Sequence, residues 1–301
     1  MEIQSKITGG PTEYIFTATV LNKYPVKYYR CTETGFIQTE HTEWLGEAYN
    51  SAITSLDLGL VSRNIKLADV TEKIIGENLD GNQKFIDYAG GYGMFTRIMR
   101  DKGYDFYHTD KYCDNLFAKH FDVVDLQEPG HFELVTAFEV FDHFADPLAE
   151  IQKIKNYSDT IFFSTKLVPN KKLASAEDWW YIAPESGKHI AFYTREALQY
   201  IATKSSLNFY TNNVDLHLLT SKKLPPDLFK EISHLFSEVP LRKGNAINVE
   251  GATGFKKLKL NIKKFRRRWK ERKGGKIIEA RNSLLEKDYK FVKALMNKFE
   301  A

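Results

Sequence analysis

Between residues 84 and 164, five short apolar runs alternate with segments that have helical spacing. Strands that alternate with helices in this way pair in parallel through right-handed crossovers and form a doubly wound sheet. The sequence therefore predicts an α/β fold. Ligands of such sheets bind beyond the carboxyl ends of the strands, so the residues after each run are the first candidates for function. The predicted strands are 85–89, 104–108, 121–124, 133–138 and 160–164.

The first run ends in a glycine-rich turn that leads directly into a helical pattern. Its sequence is Asp87-Tyr-Ala-Gly-Gly-Tyr-Gly93. Glycine permits a tight turn and the close approach of a ligand, and a helix N-terminus supplies free N–H groups. Asp110 ends the next run, where its carboxylate can accept hydrogen bonds from both hydroxyls of a ribose. These residues predict a nucleotide-like cofactor.

Two cofactors compete for this turn. No Gly-x-Gly-x-x-Gly pattern, which would hold the pyrophosphate of NAD, can be written through Gly90-Gly-Tyr-Gly93. The carboxylate of Asp87 would repel a pyrophosphate, whereas it suits the cationic amine of S-adenosylmethionine. The sequence therefore favours S-adenosylmethionine.

These motifs resemble those of the class I S-adenosylmethionine-dependent methyltransferases, over about residues 44–198. The resemblance is carried by the glycine-rich turn, by His108-Thr-Asp110 and by the stretch 132–143, which is followed by Asp146-Pro147. Ala89 stands where the family commonly has a glycine. The resemblance implies a Rossmann-like fold and a methyltransferase activity. The residues expected to bind S-adenosylmethionine are Asp87, Gly91, Gly93, Asp110, Asp125 and Phe138.

A closer resemblance is to methyltransferases that act on nucleotide-linked sugars or surface polysaccharides. It rests on Asp178-Trp-Trp-Tyr-Ile-Ala-Pro184 and on Gly187-Lys-His-Ile-Ala-Phe-Tyr-Thr194. It implies a sugar or glycan acceptor that is methylated on a hydroxyl. Relatives of this kind often begin with a cysteine-rich zinc module, of which Cys31 looks like a remnant, with Thr34 at the place of a second cysteine. We therefore expect that module to fold without zinc.

Methyl transfer to oxygen needs in-line approach of the acceptor and a base that removes its proton. Histidine is the common base near neutral pH. His143 follows the fourth predicted strand and His189 follows an aromatic loop, so either one is a candidate base or a structural histidine. With Glu139, they form the predicted catalytic set.

Glu139, Asp142 and His143 stand at i, i+3 and i+4. In a helical turn they would project to one side and could hold a hard divalent cation such as Mg²⁺. The alternative is a helix cap next to a base. We favour the alternative, so the sequence predicts no metal ion.

Aromatic residues cluster around His189. They are either core residues or a surface for the acceptor, because aromatic planes stack on sugars and on nucleotide bases. Both interpretations remain open at this point. The candidates for acceptor binding are Trp179, Trp180, Tyr181 and Tyr193.

The charge of the chain is unevenly distributed. The net charge is +4, yet residues 256–276 contain 12 of the 43 lysines and arginines and one acid. That segment is therefore +11, and the remainder, with 31 basic and 38 acidic residues, is −7. Apolar residues recur at helical spacing through 255–276, which predicts a basic amphipathic helix. Such a helix suits an anionic membrane surface; packing on the acidic body or in an oligomer, and binding to nucleic acid, are the alternatives.

The rest of the chain divides around the sheet. Strand-forming residues and turn formers predict a small antiparallel β module at 1–42, and helical spacing predicts a helical lead-in at 43–80. The cofactor domain then covers 81–222, and a helical extension covers 223–301.

Cysteine content and hydropathy indicate in which cellular compartment the protein is expected. The two cysteines are too few for a disulfide framework, which favours a reducing compartment. The first residues lack the apolar core of a signal peptide, and no stretch reaches the roughly 20 apolar residues that span a bilayer. The sequence predicts a cytoplasmic methyltransferase that lies peripherally on the inner face of the membrane. The alternatives are a degenerate methyltransferase fold that tethers to membranes or polyanions, and an RNA 2′-O-methyltransferase.

Overall fold

The computed structural model describes residues 3–49, 59–128, 130–230, 232, 287–288 and 290–291. The predicted basic helix at 255–276 lies outside these residues, as does most of the predicted extension at 223–301. Within the described part of the chain, no helix has the length and hydropathy that crossing a membrane requires.

Antiparallel strands form an N-terminal β module, as the sequence predicts. They are β1 (Thr12–Val20), β2 (Tyr24–Cys31), β3 (Ile37–Thr39) and β8 (Ala191–Phe192). Their order is β1-β2-β3-β8. In the turn between β1 and β2, Leu21 and Asn22 have positive φ angles of 52° and 55°, as hairpin turns require. The fourth strand comes from far along the chain, so residues beyond the predicted 1–42 complete this sheet.

A second sheet forms the centre of the molecule. Its strands are β4 (Lys84–Tyr88), β5 (Asp105–Thr109), β6 (Leu134–Phe138), β7 (Thr160–Ser164), β9 (Asn208–Thr211) and β10 (Leu216–Thr220). Their order is β5-β4-β6-β7-β10-β9. The first four pair in parallel, and β10 runs antiparallel to both β7 and β9. The predicted Rossmann-like α/β fold is confirmed.

Helices cover both faces of this sheet. They are α2 (Leu60–Asn78), α3 (Met94–Asp101), α4 (Pro147–Lys155) and α5 (Arg195–Lys204). The short helix α1 (Leu45–Ala48) packs instead with the N-terminal module. Neighbouring residues of β4 face opposite sides, as in any strand. Phe85 packs in one core cluster with Ile74 of α2, and Ile86 packs in another with Ile151 of α4. The helical lead-in expected before the sheet corresponds to α1 and α2.

The predicted strand at 121–124 is wrong. Val123–Asp125 forms a single turn of 3₁₀-helix, and Asp122 shares only one isolated bridge with His108 of β5. The carboxylate of Asp125 accepts a hydrogen bond from the backbone N–H of Asp122 at 2.9 Å. Such local hydrogen bonds compete with strand pairing. Val124 is 90% exposed, so its apolar character is not a sign of burial here.

Candidate functional site

A cleft of about 1040 Å³ opens at the carboxyl ends of β4, β5 and β6. Its walls are the glycine-rich turn after β4, the residues that follow β5 and β6, and the aromatic loop before β8. This is where a doubly wound sheet binds its ligand. Of the predicted site residues, the cleft is lined by Asp87, Gly91, Asp110, Phe138, Glu139, His143, Trp180, Tyr181 and His189.

The glycine-rich turn depends on left-handed backbone at three positions. Ala89, Gly91 and Gly93 have φ angles of 54°, 58° and 79°. A Cβ atom on Gly91 would meet no atom within 4 Å, because this residue faces the open cleft. Gly93 does not line the cleft; it is the N-cap of α3, and a Cβ atom there would lie 2.2 Å from Oδ1 of Asn115. Gly93 therefore shapes the turn from behind.

Asp110 ties the end of β5 to this turn. Its Oδ2 accepts a hydrogen bond from the backbone N–H of Gly91 at 2.9 Å. Its Oδ1 accepts from the N–H groups of Tyr112 and Cys113, at 2.6 and 2.9 Å. An ionised carboxylate has about four acceptor sites, so capacity remains for a ribose hydroxyl. The position and chemistry of Asp110 thus agree with the predicted role.

Asp87 lies below the turn and is only 2% exposed. Its carboxylate accepts hydrogen bonds from the hydroxyls of Thr136 and Thr96, at 2.9 and 3.4 Å. Burial raises the pKa of Asp87 to about 7, against the opposing effects of the Thr136 hydroxyl and of His108. A cationic group in the adjacent cleft would stabilise the ionised form.

His108 of β5 is a residue whose role the sequence interpretation missed. Its side chain is 1% exposed, with Nε2 at 2.8 Å from the carbonyl oxygen of Gly91 and Nδ1 at 2.6 Å from Oδ1 of Asp122. Both neighbours are oxygen atoms, so the imidazole ring links the turn to the adjacent loop. A polar residue within an apolar strand, two positions before Asp110, is the sequence signal that points to it.

Two other predicted cofactor residues differ in their placement. Phe138 ends β6, lines the cleft and packs edge-on against Phe95 and Phe162. Asp125 is exposed and does not line the cleft. Its carboxylate caps the turn after β5 instead, so the geometry gives no support to its predicted contact with the cofactor.

At the other end of the cleft, Asp142, His143 and His189 form one group, which we call the His–Asp cluster. The fully buried Oδ2 of Asp142 lies 3.0 Å from Nε2 of His189 and 3.3 Å from Nε2 of His143. Nδ1 of His189 lies 2.6 Å from the carbonyl oxygen of Tyr181. The loop is further held because the N–H of Ile190 donates to the carbonyl oxygen of Asp142 at 2.8 Å. The two candidate bases, His143 and His189, therefore lie next to the same carboxylate.

Glu139 does not join this cluster. It has a φ of 56°, and its Oε1 accepts a hydrogen bond from the hydroxyl of Ser164 at 2.6 Å. The one-sided grouping of Glu139, Asp142 and His143 that a helical turn would give does not form, because the backbone is left-handed at Glu139. Burial, with Asp142 nearby, raises the pKa of Glu139. Burial lowers the pKa of His143 to about 4, against the opposing charge of Asp142.

The predicted aromatic set divides between core and cleft. Trp179 and Tyr193 are buried away from the cleft, and the hydroxyl of Tyr193 donates to the carbonyl oxygen of Phe141 at 2.8 Å. Their assignment to acceptor binding is not supported, because both are packed in hydrophobic clusters. Tyr181 lines the cleft but is only 2% exposed, whereas Trp180 is 71% exposed. Trp180 is thus the accessible aromatic face of the predicted set.

A second aromatic surface was not predicted. Tyr49, which follows α1, stacks on Tyr112 with ring centroids 4.1 Å apart and an interplanar angle of 5°. Nζ of the buried Lys188 lies 5.5 Å from the centre of the Tyr49 ring. All three residues line the cleft. They come from three separate segments, so no local pattern indicates the stack.

Residues 62–211 match a protein-family model described as a methyltransferase domain. No curated protein sequence matches the chain.

Solved structures with similar folds include methyltransferases of low sequence identity. OxaC is 14% identical, with a TM-score of 0.39 over 52% of this chain and 47% of that chain. An O-methyltransferase family 2 protein from Planctomyces limnophilus, in complex with apigenin, is 13% identical, with a TM-score of 0.40 over 59% of this chain and 65% of that chain. Magnesium protoporphyrin IX methyltransferase from Synechocystis, with bound S-adenosylhomocysteine, is 11% identical, with a TM-score of 0.36 over 59% of this chain and 94% of that chain. The matched region thus spans less than two thirds of the first two structures.

Proposed function

Because residues 62–211 form a class I S-adenosylmethionine-dependent methyltransferase domain, we propose that the chain methylates a hydroxyl group of a sugar. The sugar belongs to a surface polysaccharide, to a glycolipid or to a nucleotide-linked precursor of either. The observation that carries the proposal is one continuous cleft. It joins the glycine-rich turn and Asp110 at one end to the His–Asp cluster at the other.

The two ends of the cleft supply the two requirements of methyl transfer. The turn, Asp110 and Phe138 hold the cofactor, and the acceptor enters from the side of the His–Asp cluster. An oxygen lone pair of the acceptor forms the new bond to the methyl carbon, while the carbon–sulfur bond breaks with its electron pair left on sulfur. The hydroxyl proton leaves to solvent water at the cluster. In this arrangement both ring nitrogens of His189 face protein oxygens, so His189 acts as part of the cluster and not as an independent base.

Aromatic and cationic groups near the cluster support a sugar acceptor with an anionic substituent. Trp180 offers an exposed ring at the cleft rim, and aromatic planes stack on sugar rings. The Tyr49–Tyr112 stack forms a second such surface. Lys188 places a positive charge beside it, which favours the phosphate groups of a nucleotide-linked sugar or a lipid-linked glycan.

The first test is calorimetric titration of the full chain with S-adenosylhomocysteine. The substitution Asp110→Ala removes the carboxylate from the turn, and we expect binding to weaken at least about tenfold, since hydrogen bonds to a charged group contribute about 1.5–3 kcal/mol each. Asp114→Ala is the matched control, because Asp114 is exposed in the same loop and does not line the cleft. Absence of binding to the unsubstituted protein would sink the proposed function.

The second test identifies the acceptor. Radiolabelled S-adenosylmethionine is incubated with the protein and with nucleotide-sugars, polysaccharide, glycolipid or RNA. Label is expected in a sugar-containing fraction and to depend on Asp110. Transfer to RNA alone would contradict a glycan acceptor and would indicate that a ribose 2′-hydroxyl of RNA is methylated.

A further inference from the structure

The three side chains of the His–Asp cluster each offer one ligand atom, and these atoms all lie within 4.8 Å of one another. We propose that Asp142, His143 and His189 bind a divalent transition-metal ion in the methyltransferase cleft. This set differs from Glu139, Asp142 and His143, the combination that the spacing in the sequence suggests. His189 replaces Glu139, and it reaches the site from the loop before β8.

The contacts of His189 leave a place for a cation between its ring and Asp142. Nδ1 of His189 faces the carbonyl oxygen of Tyr181 at 2.6 Å, and a carbonyl only accepts, so the Nδ1 atom carries the proton. As a metal ligand, the Nε2 atom would offer its lone pair, and it lies 3.0 Å from Oδ2 of Asp142. Two acceptors at this separation repel each other unless a proton or a metal ion lies between them.

The orientation of Asp142 favours the metal ion over the proton. Its side chain is 0% exposed, and neither carboxylate oxygen has a hydrogen bond of acceptable geometry, although two ring nitrogens lie close by. A proton on Nε2 of either ring would therefore not point at the carboxylate. A buried carboxylate without a hydrogen bond is strongly unfavourable, and metal coordination is one of the ways in which proteins compensate for it.

Two of the three ligand–ligand distances also match those expected around one ion. Two ligands that each lie about 2.1 Å from a metal are about 3.0 Å apart at a right angle and about 3.4 Å apart at a tetrahedral angle. The observed separations from Oδ2 of Asp142 are 3.0 and 3.3 Å. Imidazole ligands select Zn²⁺, Fe²⁺, Ni²⁺ or Cu²⁺, whereas Mg²⁺ prefers oxygen alone. Three protein ligands leave at least one coordination position for an exchangeable oxygen, as in catalytic zinc sites.

The role of this ion rests on the proposed function. Both histidines line the cleft, so the open position faces the acceptor. A hydroxyl bound there has a lowered pKa and loses its proton to solvent water. Its oxygen then forms the bond to the methyl carbon as the carbon–sulfur bond breaks. The site thus accounts for activation of the acceptor without an independent histidine base.

Cobalt titration tests the site directly. The full chain is treated with a chelator, dialysed and titrated with Co²⁺, whose visible absorption changes when nitrogen ligands replace water. We expect one tight site per chain, which Zn²⁺ displaces. Asp142→Asn is expected to weaken Co²⁺ binding at least about 100-fold. His131→Gln is the control, because His131 is exposed and does not line the cleft.

A second variant and a second ligand keep the outcomes distinct. Because Asp142 is buried, His143→Gln, at a side chain that is 21% exposed, is titrated in parallel, and circular dichroism checks that both variants fold. Equal Co²⁺ affinity in the native protein and in both folded variants would overturn the site. S-adenosylhomocysteine is titrated into the same samples. If the protein binds S-adenosylhomocysteine but not Co²⁺, only the metal site is refuted. If it binds Co²⁺ but not S-adenosylhomocysteine, the proposed function is refuted and the metal site is retained.

Discussion

At the scale of single residues, the ionisation of Asp87, at the cofactor end of the cleft, makes the free energy of unfolding depend on pH. Its pKa in the folded protein is about 7, raised by burial, so between about pH 4 and pH 7 the folded protein keeps a proton that the unfolded chain has released. The free energy of unfolding therefore falls as the pH rises through this interval, by at most about 1.4 kcal/mol per pH unit from this group. Asp87→Asn removes this contribution.

The measurement is urea denaturation at several pH values. The difference in unfolding free energy between Asp87→Asn and the native protein should grow in favour of the variant from pH 4 to pH 7 and be constant above pH 8. A difference that does not change with pH would contradict a raised pKa at Asp87. Asp114→Asn, at an exposed position, controls for the loss of one carboxylate.

Whether a site residue can be predicted depends on how far apart in sequence it and its partners in the site lie. The place of Asp110 and Gly91 at the cleft follows from the sequence, because each comes shortly after a strand and ligands of such sheets bind at that edge. The pairing of Asp142 with His189 does not, because His189 arrives from a loop that the N-terminal module holds in place. Trp179 and Trp180 show the same limit. They are adjacent in sequence, yet one is 8% and the other 71% exposed, and only tertiary packing decides between them.

At the scale of secondary structure elements, short apolar runs predicted the parallel strands of the central sheet. Four of the five predicted strands are present, because β4 to β7 lie between two layers of helices. Residues 121–124 have the same apolar character, but the carboxylate of Asp125 caps a 3₁₀ turn at this place. The antiparallel strands β9 and β10 were not predicted as strands, although they lie within the predicted cofactor domain. They extend the sheet beyond the parallel strands on which the prediction was based.

The start of α3 provides a prediction at this scale. Gly93→Ala places a Cβ atom 2.2 Å from Oδ1 of Asn115 and imposes a φ of 79° on a residue with a side chain. We expect a loss of about 1–3 kcal/mol in the free energy of unfolding, because both strain and steric overlap are introduced. Thermal unfolding measures it. Gly81→Ala is the control, because a Cβ atom there lies no closer than 3.6 Å to the atoms around it; equal losses in the two variants would contradict the argument.

At the scale of the whole molecule, one residue near the C-terminus is part of the core of the methyltransferase domain. Arg100 of α3 donates two hydrogen bonds to the carboxylate of Asp288, at 2.8 and 2.7 Å. Arg100 is 2% and Asp288 7% exposed. Removal of one partner from a buried ion pair costs up to about 3–5 kcal/mol, and here Arg100 keeps its second partner, Asp105, at 2.8 Å. Truncation before Asp288 would therefore destabilise the domain itself.

This ion pair determines how the proposed membrane role of the basic segment 255–276 must be tested. We propose that the segment binds anionic lipid, and since a truncated chain would also lose Asp288, the test keeps the chain length. Replacing the 12 lysines and arginines at 256–276 by glutamine retains the apolar residues and removes the positive charge of the segment.

In sedimentation with vesicles that contain phosphatidylserine, the native protein should pellet at low salt and dissociate as salt rises, because each basic residue near the surface contributes about 1 kcal/mol. The substituted protein should stay in solution while its affinity for S-adenosylhomocysteine is unchanged. Equal partitioning of the two proteins would refute the membrane role, and salt-dependent binding to RNA in place of vesicles would assign the charge to nucleic acid.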